Sequence, residues 1–173
     1  VVRLKHLVCG ITAAIFIGAG GIAVGADQAA VAPPAGSALV RELFADGVQI
    51  YTCDSKDGGY GWTFNAPDAK LFDKDGRQVG THFSGPAWEL DDGSGVTGEV
   101  AAKADAPEPG AIQWLLLRVK SHQGSGALSA VSYIRRADTK GGVAPKAGCD
   151  AQHLSDQARM RYSATYQFYS APK

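Results

Sequence analysis

Arg161-Tyr162-Ser163-Ala164-Thr165-Tyr166-Gln167-Phe168-Tyr169 runs near the end of the chain with a strict two-residue period. Successive side chains of an extended strand point to opposite faces, so Tyr162, Ala164, Tyr166 and Phe168 share one face while Arg161, Ser163, Thr165 and Gln167 share the other. A half-buried antiparallel strand is the element that hides one such face and wets the other.

Working back towards the amino terminus, similar runs recur. Val48-Gln49-Ile50-Tyr51-Thr52-Cys53 alternates, and Tyr60-Gly61-Trp62-Thr63-Phe64 places its aromatics on one face before Asn65-Ala66-Pro67, which reads as the end of that strand. Asp75-Gly76 between Ala69–Phe72 and Arg77–Phe83 is the strongest hairpin signal in the chain. A second hairpin joins Ala87–Leu90 to Val96–Val100 through Asp91-Asp92-Gly93-Ser94. Ile112–Val119 is almost continuously apolar, as expected of a strand covered on both sides. Leu128–Ile134 supplies another strand, and residues 150–159 are the one stretch read as a short helix. The prediction is an all-β fold, an antiparallel β-sandwich or barrel of about eight strands with at most one short helix.

The other end of the chain reads differently. Val1-Val2-Arg3-Leu4-Lys5-His6 is basic, Leu7 to Val24 is apolar, and Val24-Gly25-Ala26 is small, the order of a cleavable signal peptide over residues 1–26. Gly10, Gly18, Gly20, Gly21 and Gly25 dilute the apolar run below what a spanning helix of roughly 20 strongly apolar residues requires. The expected location is therefore periplasmic or extracellular, with the membrane met only transiently through the signal peptide. Gly18-Ala19-Gly20-Gly21-Ile22-Ala23 fits a dinucleotide-binding pattern, but a linker follows it instead of a strand–helix–strand unit, so no cofactor is predicted. Residues 27–36, rich in Ala and Pro, read as a flexible linker, and 37–173 as a single β domain. Beyond residue 26 there are 15 basic and 17 acidic residues and no basic run, which excludes nucleic acid as a partner. Two cysteines remain there, Cys53 and Cys149, and an exported chain is expected to pair them.

The chemistry-bearing residues are sparse. His82, His122 and His153 stand alone, with no H-x-H or H-x-x-x-H pair. His82 precedes a Gly85-Pro86 turn and lies near Trp88 and Glu89; a histidine, a carboxylate and an aromatic wall are parts for acid/base work. His122 sits in a polar Gly/Ser-rich stretch. His82, Glu89 and His122 are thus the catalytic candidates, and His82 and His122 the metal-ligand candidates should folding bring them together. Ser121 and Ser125 flank His122, but no G-x-S-x-G elbow occurs. The Glu89, Asp91, Asp92 cluster lacks a calcium-loop pattern and reads as solvated turn carboxylates. The aromatics could line a ligand face, though rings on strands are more often core.

Gly47-Val48-Gln49-Ile50-Tyr51-x-Cys53, Gly80-Thr81-His82-Phe83-x-Gly85-Pro86-x-Trp88-Glu89, Trp114-Leu115-Leu116-Leu117 and Gly141-Gly142-x-Ala144-Pro145-x-x-Gly148-Cys149-Asp150, together with Trp62-x-Phe64, resemble an uncharacterised family of exported domains found in bacteria and filamentous fungi. The resemblance runs from about Pro33 to the carboxyl end and implies no catalytic residues. Some fungal members carry a malate dehydrogenase label, which the absence of a dinucleotide fingerprint beyond residue 26 keeps from this chain. The expectation is a non-catalytic exported β-domain that binds a ligand or an envelope or extracellular component. The alternative is an exported enzyme, metal-dependent or acid/base, centred on His82. Convergence of His82, His122 and a carboxylate in one pocket would favour the enzyme.

Overall fold

A computed structural model describes residues 26–173. The expected signal peptide lies outside the described residues apart from Ala26. One helical turn, α1 (Ala26–Ala29), precedes eight strands: β1 (Leu39–Lys56), β2 (Gly59–Phe72), β3 (Gln78–Phe83), β4 (Ala87–Leu90), β5 (Gly95–Ala104), β6 (Trp114–Gln123), β7 (Tyr133–Gly141) and β8 (Gln157–Tyr169). Each pairs antiparallel with its sequence neighbour, and β8 returns to β1, giving a closed barrel. Closure leaves no strand wholly unpaired along one side, as an edge strand of an open sheet would be.

The alternation of β8 sets the inside of the barrel. Tyr162, Ala164, Tyr166 and Phe168 are buried and the residues between them are only half-buried. They meet Leu43 and Ala45 of β1, Leu71 of β2, Trp88 and Leu90 of β4, Leu117 of β6 and Ile134 of β7 in one core. The Asp75-Gly76 hairpin forms as read. Gly76 takes φ +77°, and the Asp73 carboxylate accepts hydrogen bonds from the backbone N–H groups of Asp75 and Arg77, both at 3.0 Å. A positive φ is cheap only without a Cβ, which is why glycine stands there.

β6 is covered on both sides, as its apolar run predicted. Leu115 and Leu117 face the barrel interior, while Trp114 and Leu116 join a second cluster with Ala104, Ala137 and Val31. Val31 comes from the stretch expected to be a flexible linker, yet it is fully buried. The segment is therefore anchored on the outside of the barrel at that point, because the outward face of β6 is too apolar to leave wet.

Four local expectations are corrected, the first being the strand over Leu128–Ile134: residues 127–130 form a turn and β7 begins only at Tyr133. Asn65-Ala66-Pro67 does not end a strand: β2 continues to Phe72, with a bulge opposite Ile50 and Tyr51 absorbing the irregularity. Proline is tolerated there because β3 pairs with β2 only from Ala69 onward, leaving that edge of β2 free. In place of a short helix over residues 150–159, turns run from 150 to 156 and 157–159 open β8. The Asp150 side chain accepts from the Gln152 N–H at 2.8 Å and contacts His153 Nδ1 at 2.7 Å, Ser155 has φ +73°, and Ser155 N–H donates to the Cys53 carbonyl. These bonds satisfy the backbone locally and against β1, so no helical ladder is needed. Trp62, expected in the core, is half-buried, and its indole N–H donates to the Ala147 carbonyl at 3.0 Å. Tyr60, Trp62 and Phe64 do share the concave face, but β2 rises past the end of short β3, so that part of the face meets solvent.

Candidate functional site

The barrel is packed at one end and hollow at the other. Leu71, Leu90, Leu128 and Val131 fill the end near the β2–β3 and β4–β5 turns. At the opposite end, bounded by the β3–β4, β5–β6 and β7–β8 connections, an inner recess of about 260 Å³ opens into an outer one of about 500 Å³. Gln49, Phe64, Val100, Leu115 and Arg136 line the two together. An eight-stranded barrel has room for side chains or for one small ligand, and space of this size is in the range of small-molecule sites.

His82 forms part of the inner wall. It is 3% exposed, its ring lies flat on Trp88 at 4.3 Å and 9°, and its edge meets Tyr166 at 4.9 Å. Nδ1 is 2.8 Å from the Ala87 carbonyl oxygen, which can only accept, so Nδ1 carries the proton and donates. Nε2 is then the lone-pair nitrogen, without a hydrogen-bond partner among the described residues. Burial drives the His82 pKa down to about 3; the Ala87 hydrogen bond opposes this weakly, and the Arg136 charge adds to it. At neutral pH the ring is an uncharged stacking group.

The other two catalytic candidates do not join it. Glu89 is exposed, on the opposite face of β4 from buried Trp88. His82, Trp88, Val96 and His122 lie side by side on β3, β4, β5 and β6, so two filled positions separate the histidines. Three strand spacings put them roughly 14 Å apart, too far to share a metal. His122 is exposed and its Nε2 donates to the Val131 carbonyl at 2.7 Å. Among the described residues no group of three or more His, Cys, Asp or Glu is placed to hold a metal ion. The acidic turn has a packing role: Asp92 accepts from the Ser94 N–H and hydroxyl and from Ala127 N–H, which latches the β4–β5 turn to the β6–β7 loop and, chiefly through the Ser94 hydroxyl, lowers its pKa.

The polar groups that do meet at the cup are ones the sequence did not single out together. Tyr162 and Tyr166 lie close to one another, with the Gln49 amide beside Tyr162 and the Arg136 guanidinium beside Tyr166. Burial raises the pKa of both tyrosines. Neither hydroxyl, nor Gln49 Nε2, nor Trp88 Nε1, makes a well-formed hydrogen bond among the described residues, although Tyr162 is close enough to Tyr166 and Gln49, and Tyr166 to Arg136, for weak polar contact. The signal for Arg136 was available in principle: in Ile134-Arg135-Arg136-Ala137, two adjacent arginines on a strand cannot both face outward. Arg135 takes the outside, 5.0 Å over the Trp114 ring, and Arg136 the inside.

One lip of the cup is the β7–β8 connection. Val143 and Ala144 line the outer recess, Tyr51 donates to the Gly142 carbonyl at 2.7 Å, and the Cys53–Cys149 disulfide ties the same connection to β1 with Cα atoms 5.3 Å apart. Gly142 has φ +84°, and a Cβ there would lie 2.8 Å from that of Tyr162, so only glycine lets the lip come this close.

No curated protein and no solved structure matches this chain. Residues 34–170 match the family described as protein of unknown function (DUF3455), and the chain belongs to that family.

Proposed function

We propose that this protein is an exported, non-catalytic binding barrel that holds a small, mostly apolar molecule in its cup. The observation that carries the reading is the hollow end of an otherwise packed barrel, walled by apolar side chains with a few unpartnered polar groups. Such a pattern of apolar walls and convergent polar atoms is that of small-molecule sites. No Asp or Glu lines either recess, so His82 lacks the carboxylate that acid/base chemistry there would use. The Cys53–Cys149 bridge supports export, since disulfides persist in oxidising compartments.

The neutral fluorophore N-phenyl-1-naphthylamine tests this. The protein should bind it one to one with enhanced emission. Leu115→Trp, which fills the recess from its own wall, should weaken that binding by about tenfold or more, the loss expected when an apolar contact is replaced by a clash. Absence of binding, or binding indifferent to Leu115→Trp in a cooperatively folded variant, would overturn the reading.

A further inference from the structure

We infer that the cup is selective for an amphiphilic organic anion, an apolar body carrying one carboxylate, with the carboxylate seated on Arg136. This rests on the binding reading above and names the ligand class for the same site.

The first argument is the charge on the walls. Arg136 lines both recesses, Lys103 lines the outer one, and no carboxylate lines either. Of the other barrel arginines, Arg77, Arg159 and Arg161 are paired with Asp73, Asp68 and Asp46, whereas Arg41, Arg118 and Arg135 make no ion pair among the described residues but line neither recess. Arg136 has no carboxylate within salt-bridge distance among the described residues, although it is half-buried. A partly desolvated cation without a counter-ion is an unfavourable arrangement that a bound anion relieves.

The second argument is the direction of the open donors. Arg136 Nε and Nη2 both donate to the Gln113 carbonyl, at 3.1 and 2.8 Å. That contact fixes the guanidinium by one edge and leaves the Nη1–Nη2 edge open. A planar fork held in this way matches the two oxygens of a carboxylate.

The third argument is the chemistry beside it. Gln49 Nε2, the Tyr162 and Tyr166 hydroxyls and Trp88 Nε1 are buried without a well-formed hydrogen bond. Tyr166 is 1% exposed, touches the inner recess and sits next to Arg136. Gln49 Nε2 and Trp88 Nε1 can only donate and the tyrosine hydroxyls can donate as well as accept, so an acceptor is the partner that suits all four. One cation at the level of the inner recess suits a single negative charge, since a second would remain uncompensated against apolar walls. Phe64, Val100, Leu115 and Leu117 then enclose the apolar body.

The test is a matched pair of competitors at neutral pH, 2-naphthoate and 2-naphthamide, each displacing N-phenyl-1-naphthylamine. The two differ little in shape, so their difference reports the charge. The carboxylate should bind tighter by about tenfold or more, the scale of a bidentate charged hydrogen bond. Arg136→Gln should abolish that preference, and Arg136→Lys, which keeps the charge and loses the fork, should retain part of it. Equal displacement by the two competitors overturns the inference and leaves the cup reading standing, as does a preference that survives in Arg136→Gln. Failure of the fluorophore to bind overturns both. The wild-type comparison decides even where a variant does not fold.

Discussion

Acidifying the protein from about pH 6.5 to 4.5 is expected to remove roughly 2–3 kcal/mol of folding stability through His82 alone. The group titrates at its ordinary value of 6.5 when unfolded but only near 3 when folded, because burial disfavours the charged ring. Below pH 6.5 the unfolded chain therefore takes up a proton that the folded barrel refuses. Stability is whole above 6.5 and falls as pH drops towards about 3, at about 1.4 kcal/mol per pH unit in mid-range. The figure for the 6.5 to 4.5 window depends only on the folded pKa lying below it, not on its exact value. The charged and titratable groups around the ring are Arg136 and Tyr166; the first repels a proton on His82, the second stays neutral in this range, and no carboxylate faces it. The lowered pKa values of Asp73, Asp92 and Asp150 bring their own losses in more acid solution, below this window. His153 acts in the opposite sense, since Asp150 raises its pKa, so its contribution is present in acid and fades as pH rises.

The assay is urea unfolding followed by tryptophan emission at several pH values, for the wild type and for His82→Phe. Phenylalanine keeps a ring against Trp88 and has nothing to titrate, and contributions from the carboxylates and His153 cancel in the comparison. The wild-type stability should fall with acid by the stated amount relative to the variant, whatever the absolute stability of each. Parallel pH profiles for the two proteins would refute the reasoning. They would mean that His82 accepts its proton in place, through the cation–π attraction of Trp88 or by opening the cup to water.

Trp114→Ala should cost about 3–5 kcal/mol in urea unfolding, since the ring is 7% exposed and carries both Arg135 and the Val31 cluster; a loss below about 1 kcal/mol would show that the outer cluster contributes little. Non-reducing peptide mapping of protein purified without reductant should recover Cys53 and Cys149 as one linked pair. Their sequence separation of 96 residues makes the bridge worth roughly 4–5 kcal/mol by chain entropy, so replacing both with serine should lower the unfolding free energy on that scale and weaken fluorophore binding by loosening the lip; free thiols in that protein would contradict this.

Much of the fold was legible because local signals and barrel geometry agree. The alternation at Tyr162–Phe168, the Asp75-Gly76 turn and the apolar run at Ile112–Val119 each point to one outcome, and each is met. What covers the second face of β6 was not legible, because Val31 lies in an Ala/Pro-rich stretch with no period of its own. The inward face of β1 was hidden for another reason. Val48 and Ile50 look like the core face of their run, yet Gln49, Tyr51 and Cys53 are the buried set and Val48 and Ile50 are half-buried. A barrel with a polar patch inside reverses the usual inference from hydrophobicity at that depth. The histidines were a partial guide to the site: His82 lines the inner recess, but only register shows that Trp88 and Val96 stand between it and His122.

Period two tells which face a residue takes, never its height, and height is what makes the cup. β1, β2 and β8 have 18, 14 and 13 residues, while β3 and β4 have only 6 and 4. Where long and short strands share one closed sheet, the inward side chains of the long ones run on past the level at which the short ones face them. Phe64 shows the consequence: it packs edge-on against Tyr51 at 5.7 Å on the concave face, yet is 51% exposed. On the low side of the wall the Gly85-Pro86 turn lines the inner recess with His82 and Trp88. A ligand held there would meet a tall wall of β1, β2 and β8 on one side and a short lip on the other, with Arg136 as the fixed charge between them. β2 passes Asn65-Ala66-Pro67 with a bulge opposite Ile50 and Tyr51, which the sequence of that run did not announce. The same residues on eight equal strands would bury the polar cluster under a complete core, where its missing hydrogen bonds would be a plain destabilisation. In a barrel open at that end they are groups that a ligand can satisfy.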